Sequence, residues 1–245
     1  MPGVADFKLS ITKALGDQLA EAFIALDAIP FTRAHLTDAV ADRGGVYQIY
    51  LDGSLVYIGK ADRQLQKRLL NHLTKFEGRL NISLEALAFT AIYVDEDMSA
   101  VAPETLLIKK HRATGEAMWN FNGFGNKDPG RERDTSSITA DHFDRLYPIN
   151  LQYEVPMSPG RLHLDDYLVQ LKRALPFNFR YQSTGKPASS SKASPLLVDV
   201  PAGLTATRAF EIAASALPDW QLTALPGYAI FYKETREYAH AIRVY

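Results

Sequence analysis

"GGVYQIYLDGSLVYIGKADRQLQKRLLNHL", residues 44–73, is the stretch on which the reading of this chain turns. Val, Ile and Tyr crowd its first half, and such residues favour strands. Asp52-Gly53 divides the two runs and is a strong hairpin signal. The second half reads as an amphipathic helix. Leu65, Leu69, Leu73 and Phe76 fall on one stripe at helical spacing. Arg68, His72, Lys75 and Arg79 follow one another along an edge of that stripe.

The length of the turn decides what the tyrosines can do. A two-residue turn, Asp52-Gly53, sets Leu51 opposite Ser54 and Tyr47 opposite Ile58. Tyr47 and Tyr57 then face opposite ways. A three-residue turn, Leu51-Asp52-Gly53, sets Tyr50 opposite Ser54 and Tyr47 directly across from Tyr57. The second register is expected, because Val46, Tyr50, Val56 and Ile58 then share the other face as core. It also brings two phenols within reach of each other. Arg68 and His72 lie nearby, at the border of core and solvent. An arginine at such a border needs a partner, either a carboxylate or a ligand phosphate.

Composition narrows the class. The chain has 245 residues and no cysteine, which removes disulfides and thiolate metal sites and leaves room for one large domain or two smaller ones. No apolar run approaches a membrane span, and no signal-peptide pattern opens the chain. A soluble, cytoplasmic protein is expected. The formal net charge of −1 denies it a global electrostatic footprint for nucleic acid. Charge is nevertheless uneven. Lys60, Arg63, Lys67, Arg68, Lys75 and Arg79 face only Asp62 and Glu77 in the same stretch. A locally basic face suits a phosphate-bearing ligand, and a solvated surface is the plainer alternative.

Helices are expected over residues 11–26 and 32–41, a strand over 88–94, and a helix over 102–111 with Pro103 in its first turn. Residues 119–134 form a Gly/Asn/Asp-rich loop. Residues 183–195, "STGKPASSSKASP", read as a flexible linker. A strand (196–200), a helix capped by Thr205, and two or three strands follow. The expected organisation is an N-terminal helical extension (1–43), a core with its loop (44–150), a connecting segment (151–182), the linker (183–195) and a small C-terminal α+β domain (196–245).

These motifs resemble the GIY-YIG nuclease superfamily. Gly45-Val46-Tyr47 matches its first tripeptide with Val for Ile, and Tyr57-Ile58-Gly59 matches the second intact. Arg68 and His72 stand where the family has its arginine and a His or Tyr one turn later. Glu104 opens the next long helix, at the place of the family's metal-binding glutamate. Asn120 follows Trp119, where the family carries an asparagine. The match covers residues 44–122. "MWNFNGFGNKDPGRERD" is similar to a loop in a type II restriction endonuclease branch, where Trp-Asn precedes Gly-Phe-Gly-Asn-x-Asp-Pro-Gly.

The resemblance implies an α/β (α+β) fold whose core is a small three-stranded antiparallel sheet flanked by helices. It implies a hydrolase, a DNA endonuclease that attacks phosphorus with water and releases a 3′ oxygen. Glu104 would hold Mg²⁺ or Mn²⁺, and Arg68 would grip phosphate. Tyr47 would act as general base or position water, with Lys60 or His72 helping to move its proton. Tyr57 would orient phosphate or water. Asn120 belongs to the same set, although its chemistry fits a supporting role. DNA contacts are expected from Lys67, Lys75 and Arg79 on the helix edge, and from Asn126, Lys127, Arg131 and Arg133 in the loop. The expected partner is double-stranded DNA, and no membrane. Restriction-type cleavage favours a homodimer, because a double-strand break needs two cuts, and would pair the enzyme with a cognate DNA methyltransferase. A monomer cutting twice is the alternative. Competing functions are a repair, mobile-element or toxin nuclease, and a nucleic-acid-binding protein without catalysis. Singly, each residue has an ordinary structural reading. Their joint order and spacing favour the nuclease.

Overall fold

Asp52 and Gly53 both carry positive φ, +50° and +74°, as a two-residue primed hairpin turn requires. In the computed structural model they join β2 (Gly45–Leu51) to β3 (Ser54–Ala61), and Leu51 pairs with Ser54. The expected three-residue turn is therefore corrected. The tyrosines do not part, because the ladder slips between Ile49 and Tyr50. Tyr50 pairs with Leu55 and Ile49 with Tyr57, so Val56 is an extra residue, a β-bulge. One inserted residue reverses the side-chain alternation beyond it. Tyr47 then pairs with Gly59, and Tyr57 shares Tyr47's face one pleat away. The same shift sets Gly45 opposite Ala61.

The structure describes residues 3, 11–94, 103–112, 115–125, 128, 130–183 and 196–245. The fold is mixed α/β, and the chain divides into two compact units. No helix among the described residues is long and apolar enough to cross a membrane.

The first unit comprises Met1–Leu73 and Ser83–Gly125. Its sheet has four strands in the order β1-β4-β2-β3, with β1 at Ile29–Pro30 and β4 at Leu87–Tyr93, all antiparallel. The expected sheet of three thus gains an edge strand. The preceding helix has already ended at Ile24, and Pro30 tolerates an edge position. Phe31 then pins the strand: its N–H donates to the Leu87 carbonyl at 2.9 Å, and its ring meets Phe89 edge-on.

Helices cover both sheet faces. Val46 and Ile58 pack with Leu19, Ala20 and Phe23 of α1 (Ile11–Ile24) and Leu107 of α4 (Pro103–Arg112). Tyr50 is not part of that apolar core, because its hydroxyl donates to Gln48 Oε1 at 2.5 Å. The other face, with Tyr47 and Tyr57, receives α3 (Leu65–Glu77). Leu65, Leu69, Leu73 and Phe76 are all buried, as the stripe requires. Each such side chain contributes roughly 1.5–3 kcal/mol by leaving water. The short α2 (Arg33–Ala39) is capped by the Thr32 side chain.

The second unit comprises Thr74–Ile82 and Asn126–Tyr245. In it β8 (Gln221–Ala224) and β9 (Tyr228–Tyr232) form an antiparallel pair. β10 (Arg243–Val244) flanks β8, and β6 (Asn178–Tyr181) runs parallel to β9. A second ladder pairs β5 (Gly160–His163) with β7 (Leu197–Val200). Helices α6 (Leu164–Ala174) and α7 (Ala206–Ala216) share one core with these strands, and Thr205 caps α7. A short α5 spans Phe143–Leu146. Residues 151–182 and 196–245 thus build common sheets, and the expected boundary at 183–195 does not separate two folded units. The linker itself lies outside the described residues, apart from Ser183.

Candidate active site

Tyr47 is fully buried, and its hydroxyl lies 2.7 Å from His72 Nε2. Arg68 Nε–H donates to the same oxygen at 3.3 Å. The donor roles follow from the tautomer in which His72 Nε2 carries no proton. Arg68 can only donate, so the phenol oxygen accepts from it and gives its own proton to a neutral imidazole. Moving that proton to His72 leaves a phenolate beside a guanidinium. Burial opposes the charge on Arg68, yet the oxygens of Tyr47 and Tyr57 outweigh it, and its pKa lies above the ordinary value.

Local sequence builds this arrangement. His72 lies four residues after Arg68, one helical turn on, so both side chains reach the same sheet face. Gly59 sits opposite Tyr47, and a Cβ there would collide with the phenol ring and oxygen. The glycine of the second tripeptide is therefore the floor on which Tyr47 lies. The rings of Tyr47 and Tyr57 stand 6.1 Å apart.

Phe124 was absent from the sequence expectations and proves central. It stacks on His72 with centroids 5.0 Å apart and meets Tyr57 edge-on at 4.8 Å. Trp119 backs it at 5.2 Å. Gly123 has φ +97°, and a Cβ on Gly125 would come 2.7 Å from the Tyr57 hydroxyl. A phenylalanine between two glycines was the available signal, since only glycine lets backbone approach a buried ring so closely.

Several expected site residues lie elsewhere. Lys60 pairs with Val46, on the face opposite Tyr47, and binds Asp62 at 2.8 Å. It is not positioned to receive the Tyr47 proton. Asn120 spends its amide on backbone, accepting from Ile58 N at 2.9 Å and donating to Ile58 O at 2.7 Å. It clamps the strand that carries Tyr57 rather than facing the phenols. Glu104 belongs to α4, but its side chain lies outside the described residues, as do Asn126 and Lys127.

The expected DNA contacts divide sharply. Lys67 is exposed and borders a cleft of about 570 Å³ that Arg68 also lines. Arg79 is buried. It pairs with Asp144 at 2.9 Å and donates to the carbonyls of Tyr147, Pro226 and Gly227. Lys75 sits over the Phe143 ring at 4.8 Å. Arg133 bonds Asp144 and covers the Tyr228 ring. Arg131 lies over Tyr232 at 4.1 Å, with Glu234 beside it. Arg79 and Arg133 are structural cations of the second unit. The helical period aligned Arg79 with Arg68, but the helix ends at Glu77, two residues short of it.

A scan against protein-family models and a search of curated proteins return no match. A divalent cation, which the resemblance implies, needs hard oxygen donors. The described donors around Tyr47 are phenol, imidazole and guanidinium, a set suited to phosphate. Among the described residues no three His, Cys, Asp or Glu converge. The fit of such an ion therefore rests on Glu104.

Proposed function

We propose that this chain is a metal-dependent GIY-YIG endonuclease with restriction-type activity on double-stranded DNA. One observation carries the reading. A buried phenol, an imidazole and a guanidinium converge on a single oxygen, with a second tyrosine ring alongside. A phenol with an ordinary pKa near ~10 is a poor base at neutral pH, and its neighbours must compensate. His72 takes the phenol proton as Tyr47 accepts one from water. Arg68 favours the phenolate by charge and by its Nε–H. An incoming phosphate competes for that guanidinium, since charge-assisted hydrogen bonds are about twice as strong as neutral ones. Arg68 then bridges substrate and base. Tyr57 orients the phosphate. Mg²⁺ or Mn²⁺, held by Glu104, would stabilise charge on the leaving oxygen.

The test is incubation of purified protein with mixed-sequence plasmid and Mg²⁺, beside Arg68→Ala. Discrete fragments are expected from the unmodified protein and none from the variant. A smear would point to an unspecific nuclease. Absence of cleavage with any divalent metal on any DNA would sink the reading.

A further inference from the structure

The cleft beside Arg68 gathers polar side chains that no part of the Tyr47 cluster uses. Arg63, Gln64, Lys67 and Asn71 line it together with Arg68. Lys67 and Asn71 lie one turn apart on α3, so they present donors on the same side. Among the described residues, the side chains of Arg63, Lys67 and Asn71 form no hydrogen bond or ion pair. Three arginines elsewhere are committed: Arg79 and Arg133 to Asp144, Arg180 to Asp128 and Asp134. Among the described residues that line it, the cleft holds one carboxylate, Asp62, which Lys60 matches at 2.8 Å from outside the cleft lining. Lys60 also holds the Asp62 carboxyl below the usual carboxylate range.

We propose that this cleft binds a non-scissile phosphate of the DNA backbone, next to the one Arg68 engages, through Arg63, Lys67 and Asn71. The inference takes its ligand from the nuclease reading. The donor set suits it: a planar guanidinium fork, a point charge and a neutral amide all donate to phosphate oxygens. Such contacts fix the register of the duplex and carry no base preference. Asp62 opposes the bound phosphate, and Lys60 limits that opposition.

The experiment is fluorescence anisotropy with a short labelled DNA duplex and the full chain, without divalent metal, across a range of salt. Arg63→Ala/Lys67→Ala should raise Kd about tenfold and lower the salt slope by about 0.9 for each phosphate left without its cation. Asp62→Asn should act in the opposite direction, lowering Kd about threefold by removing a like charge. Misfolding cannot mimic a gain in affinity, and circular dichroism checks the double variant. If the unmodified protein binds DNA and both variants match it, the cleft assignment falls while the nuclease reading stands. If the unmodified protein neither binds nor cuts DNA, both fall. Binding to an RNA duplex alone overturns DNA as the ligand.

Discussion

The Tyr47 hydroxyl and His72 Nε2 lie 2.7 Å apart, within a hydrogen bond and away from solvent. Replacing Tyr47 by Phe keeps the ring and deletes the hydroxyl on which the proposed proton path depends. The expected loss in single-turnover cleavage is about 10²–10⁴-fold, with about 1 kcal/mol lost from stability. Cleavage by Tyr47→Phe at the unmodified rate would remove Tyr47 from the chemistry.

Gly59→Ala tests the floor beneath that phenol. The added methyl collides with Tyr47, and overpacking costs about 1–3 kcal/mol. Melting temperature should fall, and cleavage should fall further than the lost folded fraction explains. A variant as stable and active as the parent would show that Tyr47 rests differently.

Asn120→Ala should behave as a loss of structure. Two hydrogen bonds to Ile58 disappear, at about 1–3 kcal/mol. Denaturant unfolding should record that drop. Activity per folded molecule should stay within about tenfold, far from the roughly 10²–10⁴ reserved for Tyr47. A full catalytic loss in a stably folded variant would restore Asn120 to the reacting set.

Asp144 serves two arginines, and its side chain is 5% exposed while that of Arg79 is 3% exposed. Asp144→Asn leaves Arg79 buried without its carboxylate, a cost of about 3–5 kcal/mol. Urea unfolding with an unchanged m-value is the measurement. A change below about 0.5 kcal/mol would mean that the backbone carbonyls alone suffice for Arg79.

His142 supplies a pH dependence. Its Nδ1 accepts from the Asp144 N–H at 3.1 Å, which requires the neutral ring. Burial depresses its pKa; Asp144 works against this, while Arg133, Lys75 and Arg79 add to it. As pH falls, the unfolded chain therefore binds the proton first. The His142 contribution is present above about pH 6.5 and is lost as pH falls through the lower folded value. Melting temperature should drop more steeply on acidification in the parent than in His142→Asn, which keeps a capping acceptor. Parallel curves for the two proteins would exclude this role.

The sequence by itself determined the elements whose signals are local. The stripe of Leu65, Leu69, Leu73 and Phe76 specified α3, and Asp52-Gly53 specified a hairpin, because both follow from spacing along a few turns or pleats. Thr205 marked a helix start for the same reason. Tertiary structure decided what depends on distant partners. The bulge at Val56, beyond a two-residue turn, settles that Tyr57 shares the face of Tyr47. Arg79 shared a helical period with Arg68, yet Asp144 and three carbonyls from later in the chain drew it inward. Phe124 reached His72 across a loop that spacing along the sequence does not resolve. The parallel pairing of β6 with β9 joins segments distant in the chain, beyond the reach of any local pattern.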